Sequence, residues 1–160
     1  MSEDESTKEM LSKIASKVST FAIGNYIQPI YSLKDSLENH DWFKGLILST
    51  TFLEMFGFLS LRIYYEQKID RKHHKEIGNF LNRLGLSRTI RLLYFTGFIK
   101  HATFLKMTKI IKARNKLVHP IRKMGKDFVF AKESDHTPIE TAEKMIEDAI
   151  GCLKELGVNH

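Results

Sequence analysis

An all-α fold is predicted for this chain of 160 residues, and three observations carry the prediction. Apolar residues recur at steps of three and four along most of the length. Strand-like alternation is nearly absent, and helix start and stop signals punctuate the chain. The length suits one domain with a proper core, to which eleven phenylalanines contribute. The expectation is an antiparallel up-down bundle. It has four main helices plus N-terminal and short extra helices, in a single domain over residues 1–160 with 1–7 frayed.

Leu11, Ile14, Ala15, Val18, Phe21 and Ala22 trace the first amphipathic helix, which Gly24 interrupts. Tyr26 to Asn39 reads as a second helical piece, with Pro29 near its first turn, where proline is tolerated. Asp41 is an N-cap for a long helix from Trp42 to about Gln67 that is apolar nearly all round. A charged loop follows over Lys68–Lys75, containing His73 and His74, which read as a solvated pair. Short helices are expected near Glu76–Leu84 and Ser87–Thr96, with Ser87 as the cap and Gly97 as the break. The next long helix runs from about Ile99 to Val118. Pro120 ends it and biases His119 towards extended backbone. Residues 121–136 read as a loop, with Asp127-Phe128-Val129-Phe130 as a short extended piece. Thr137, Pro138 and Glu140 open the last helix, which stops at Gly157.

Gly45 to Leu61 is nearly all apolar and prompts a membrane check. It is short for a span. Glu54 near its centre would cost roughly 2.5–3.5 kcal/mol on insertion scales. A buried central helix is expected, and no membrane partner. The single cysteine, Cys152, excludes an internal disulfide and fits a reducing compartment. The acidic Met1-Ser2-Glu3-Asp4-Glu5 start is not a secretory signal. A cytoplasmic location is the expectation.

The formal net charge is +6, and it is segregated. From Ile77 to Lys126 there is no Asp or Glu, while the same stretch carries twelve Lys and Arg. Such a pattern presents one basic face and points to a polyanion.

Within that stretch lies Lys112-Ala113-Arg114-Asn115-Lys116-Leu117-Val118-His119-Pro120. On a helical wheel Ile99, Met107, Ile110, Ile111, Leu117 and Val118 share one arc. Lys109, Lys112 and Lys116 lie opposite, with Lys106 at the border. Arg114 projects from the apolar arc, where an unpaired guanidinium costs several kcal/mol. Two readings follow: a structural salt bridge, with Glu54 as partner, or a phosphate contact at a cleft or subunit seam. Asn115 and His119, four apart, share a face. An arginine for phosphate charge and a histidine for proton transfer suit phosphodiester chemistry, with RNA as the first candidate.

Arg114-Asn115-x-x-x-His119 resembles the Arg-x(4–6)-His signature of the HEPN superfamily, in which a polar residue commonly follows the arginine. The expected bundle resembles that family's too, down to a long apolar helix carrying one polar residue, here Glu54. The motif covers about six residues, and the architecture most of the chain. The resemblance implies a metal-independent endoribonuclease whose two copies build a composite site. It makes Arg114, Asn115 and His119 the catalytic positions. It also suggests a toxin-like role with an inhibitor or antitoxin protein. Ile121 stands where toxins silenced by a nucleotidyltransferase carry a tyrosine two residues after the histidine, which puts that regulation in doubt.

In-line attack by the 2′-OH would leave a 2′,3′-cyclic phosphate, with His119 moving the proton and Arg114 holding the phosphoryl charge. Lys106, Lys109, Lys112, Lys116, Arg122 and Lys123 would track the backbone of single-stranded or loop RNA. No metal or other cofactor is expected. The alternatives are a non-catalytic RNA- or nucleotide-binding module, and a helical interaction protein in which Arg114 pairs with Glu54 and the basic face meets an acidic partner or an anionic membrane.

Overall fold

The computed structural model describes the backbone of residues 3–123 and 139–160, and the side chains of residues 5–116 and 142–160. Among these the chain is helical: α1 (Glu3–Gly24), α2 (Pro29–Glu38), α3 (Trp42–Lys68), α4 (His74–Asn82), α5 (Gly85–Phe95), α6 (His101–Lys123) and α7 (Ile139–Glu155), with one 3-10 turn at Arg71–His73. This is the all-α helical bundle that the periodicity predicts.

α3 is the hub, and the other six helices pack on it. Asp41 caps it by accepting from the Lys44 amide (3.0 Å), as its position before Trp42 predicts. Leu46, Leu53, Phe56 and Leu61 are buried on its inner face. Small residues set how closely partners approach. A methyl on Gly45 would collide with Ile146 of α7, and one on Gly57 would lie 3.0 Å from Leu93 of α5. α3 is long and apolar enough to cross a bilayer by length and composition. It is not buried all round, however: Phe43 is 51% exposed, and Thr51, Glu54 and Arg62 face outward.

Several boundaries differ from expectation. α1 is already helical at Glu3 rather than frayed to residue 7, and a Glu9–Lys13 pair (2.6 Å) supports its early turns. α2 begins at Pro29 because Tyr26 takes a left-handed conformation (φ 55°) that a helix cannot contain. The charged 68–75 segment is not simply a loop. Asp70 accepts from the Lys72 amide to open a 3-10 turn that runs into α4. Ser87 does not cap α5; Gly85 (φ 67°) makes the turn two residues earlier.

The largest difference is at α6, which continues to Lys123 through Pro120 instead of ending at Val118. Proline removes one helical hydrogen bond and costs roughly 3 kcal/mol, but the bonds on either side remain. Its effect on the preceding residue is a bias, not a stop. The rest of the 121–136 segment, with Asp127–Phe130, and the Thr137-Pro138 start signal lie outside the described residues.

α6 is anchored at its start by α7. Glu155 accepts from the Lys100 amide (3.2 Å) and from the Thr103 hydroxyl (2.5 Å), so a carboxylate from elsewhere in the chain supplies the cap. Gly157 (φ 93°) then turns the chain against Ala15 of α1.

Candidate functional site

α3, α5 and α6 converge around an open cleft of about 320 Å³. α3 contributes Thr50, Thr51 and Glu54; α5 contributes Gly85, Leu86 and Ser87; α6 contributes Ile111, Arg114 and Asn115. Arg114 is held by its own helix. Met107, Ile110 and Ala113 are buried, and Arg114 follows Ile110 by one turn, so it leaves the apolar side of α6 and emerges into the cleft.

The Arg114 Nη1 donates to the Asn115 side-chain carbonyl at 3.2 Å. Its Nε is buried and, among the described residues, has no hydrogen-bond partner. Glu54 lines the same cleft but is exposed, and no ion pair within 4 Å joins it to Arg114 among the described residues. The salt bridge of Arg114 with Glu54, one of the two readings, is therefore not formed among the described residues. α3 carries Glu54 towards solvent, and Asn115, next in sequence, occupies the guanidinium instead. A buried polar atom without a partner is uncommon and asks for a ligand or a water to complete it.

The hydroxyls of the cleft divide into two kinds. Thr50 and Thr51 donate back to the Ile47 carbonyl (3.0 and 2.9 Å), so their protons are used within α3. Ser87 is exposed, and α5 starts at the cleft with no side-chain cap, which leaves its first amides to water or to a ligand. Guanidinium, carboxamide, Ser87 hydroxyl and helix start together make a donor-rich recess, with Glu54 the one carboxylate. That arrangement suits an oxyanion on the Arg114 side.

Lys109, Lys112 and Lys116 are exposed along the outer face of α6. Lys106 differs from expectation because its ammonium is paired with Asp148 of α7 at 3.2 Å. The stretch that lacks acids in sequence thus meets acids in space along its α7 edge. His119, Arg122 and Lys123 lie on the backbone of α6, and their side chains are outside the described residues. With α6 continuous, position 119 follows Asn115 by one turn. It lies roughly 140° around the helix from position 114. Arg114 and Asn115, singled out in sequence, both line this cleft. Thr50, Thr51, Gly85 and Ser87 line it as well; in sequence only Ser87 stood out, and as a cap candidate.

The histidine pair of the 3-10 turn is engaged locally: His73 with Glu76 (3.3 Å) and His74 with the Ile69 carbonyl (3.0 Å). Among the described residues no group of three His, Cys, Asp or Glu side chains is arranged to hold a metal. Burial pushes the Cys152 thiol up to about 12, with Asp148 and Glu155 adding to the effect, which makes it a packing residue. Comparisons with family models, with curated proteins and with solved structures give no match.

Proposed function

We propose that this chain is a metal-independent endoribonuclease that acts as a homodimer with a composite site. The observation that carries the reading is Arg114: a guanidinium whose buried Nε has no partner among the described residues, opening with Asn115 onto a donor-rich cleft beside an exposed lysine stripe. In this reading Arg114 binds the phosphoryl oxygens of the scissile phosphate, whose charge rises as the 2′-OH attacks. Asn115 holds the guanidinium at the correct angle and offers its free amide to a phosphate oxygen. His119, the residue type that titrates nearest neutrality, moves the proton. The products are a 2′,3′-cyclic phosphate and a 5′-OH.

The continuity of α6 bears on how these groups meet. One copy carries positions 114 and 119 about 140° apart on the helix. Two copies related by a two-fold axis would let Arg114 of one serve the same phosphate as His119 of the other, without unwinding at Pro120. The Arg-Asn-x-x-x-His motif and its HEPN resemblance support that arrangement. A reducing, cytoplasmic setting agrees with a lone buried cysteine. A toxin-like role under an inhibitor protein belongs to the same proposal.

The same continuity favours a second reading, a non-catalytic RNA-binding module that grips phosphate with Arg114 and the lysines. Incubation of the purified protein with end-labelled RNA in EDTA separates the two. Fragments ending in cyclic phosphate, lost in both Arg114→Ala and His119→Ala, support the nuclease. Binding without cleavage supports the module. Cleavage that needs Mg²⁺ refutes the mechanism.

A further inference from the structure

We infer that the groove between α5 and α6 is a track for an unpaired RNA strand, ending in a base-stacking platform built by Tyr94, Phe95 and Phe104. This rests on the reading of the basic face as an RNA surface, and extends it from the phosphate to the bases.

The platform lies at the far end of the groove from the cleft. Tyr94 and Phe104 stack across the two helices with centroids 5.1 Å apart and planes 23° from parallel. Phe95 leans on Tyr94 (5.9 Å), and His101 closes the group at 5.6 Å from Tyr94. Phe95 is 75% exposed, an unusual state for a phenylalanine with no apolar partner beyond it. The nearby core positions are taken by Leu93 and Ile99, both buried.

Helical register joins this platform to the cleft. Phe104, Thr108, Ile111 and Asn115 follow at steps of four, three and four, so they form one stripe down α6. All four are half-buried, as the floor of a groove should be. The stripe is roughly 16 Å long at 1.5 Å per residue, which is a few nucleotides of extended strand. On α5, Ser87, Arg91 and Tyr94 run alongside at similar spacing, with Arg91 exposed. The groove therefore starts at Asn115 and Ser87, where phosphate is held, and ends at the aromatic rings. Lys112 borders its outer side.

Charge decides the occupant. No carboxylate belongs to α5 or α6, Glu155 of α7 at this end is engaged by the Lys100 amide and the Thr103 hydroxyl, and Arg91 and Lys100 are exposed. A second copy docking two-fold on Phe95 would set Arg91 near its own mate, which like charges oppose. An unpaired strand offers anionic phosphates to the banks and π-faces to the rings. A duplex keeps its bases stacked on each other and reads poorly on such a platform.

The test uses the full chain and a fluorescein-labelled 2′-O-methyl octanucleotide, which binds but has no 2′-OH to attack. Phe95→Ala is expected to weaken binding about tenfold, within the range of one lost base stack, and to leave the salt dependence unchanged. Phe95→Trp should keep the affinity, and its emission should be quenched on binding. A dinucleotide, too short to reach from cleft to platform, should bind both Phe95 forms alike. Unchanged octanucleotide affinity in Phe95→Ala overturns the platform, as does a loss of self-association in place of a loss of binding. If the wild type cleaves RNA and Phe95→Ala binds unchanged, the nuclease reading stands and the platform falls. If Phe95 governs binding and no RNA is cut, the platform stands and the nuclease reading falls.

Discussion

Replacing Arg114 and Glu54 singly and together asks whether the guanidinium serves the fold or the cleft. A buried ion pair that loses one partner costs about 3–5 kcal/mol, because the remaining charge is stranded. The geometry here is different. Glu54 is exposed, no ion pair within 4 Å joins the two, and the side-chain bond of Arg114 among the described residues goes to Asn115. Two charges on opposite walls of a wet cleft interact by no more than about 1 kcal/mol. The expected cycle is thus Arg114→Met, Glu54→Gln and the double variant, with a coupling energy below about 1 kcal/mol. Arg114→Met should be near neutral in itself, since it removes the buried Nε and keeps an apolar stem of similar length on the apolar side of α6. Urea unfolding followed by circular dichroism measures each corner of the cycle. For a chain of this size 1 kcal/mol is about 2–4 °C in Tm, so scanning calorimetry checks the same numbers. A coupling of about 3 kcal/mol or more would refute the reasoning and make Arg114 a structural residue. RNA cleavage or binding by Arg114→Met at wild-type level would refute the functional half.

Four further outcomes follow from other parts of the fold. Glu155→Ala removes both acceptors at the start of α6 and should lower stability by about 1–2 kcal/mol, read from denaturant midpoints. Gly157→Ala would place its methyl 2.5 Å from the Ala15 carbonyl oxygen in a left-handed conformation; a loss of about 2–4 kcal/mol is expected, and a Tm within 2 °C of wild type would contradict it. Cys152 has a folded pKa raised above its unfolded value, so its contribution to stability is whole below the unfolded thiol pKa. That contribution is lost as pH rises towards about 12, and Ellman's reagent should label the thiol only on unfolding. RNA affinity should fall with salt, and Lys112→Gln should reduce the log–log slope by about 0.7 on a single strand while Lys106→Gln, its ammonium tied to Asp148, should reduce it less.

The sequence by itself determined the helical class, the Asp41 cap, the place of Pro29 in a first turn and the Gly97 and Gly157 breaks. Each is a local rule: a period of 3.6, one side-chain oxygen over three amides, a fixed φ, a missing Cβ. It also placed Arg114 on the apolar side of α6, because helical register needs no knowledge of neighbours. Tertiary structure decided what that position means. The approach of α5, set by Gly57 and Leu93, leaves a cleft beside α3 instead of a packed seam, and α3's rotation turns Glu54 to water. Pairings across the bundle, such as Lys106 with Asp148 and Glu155 with Lys100, join residues far apart in the chain. No local pattern encodes them, since they arise only when helices dock. The stacking of Tyr94 on Phe104 belongs with them: two aromatic residues unremarked in sequence become one surface because α5 and α6 lie side by side.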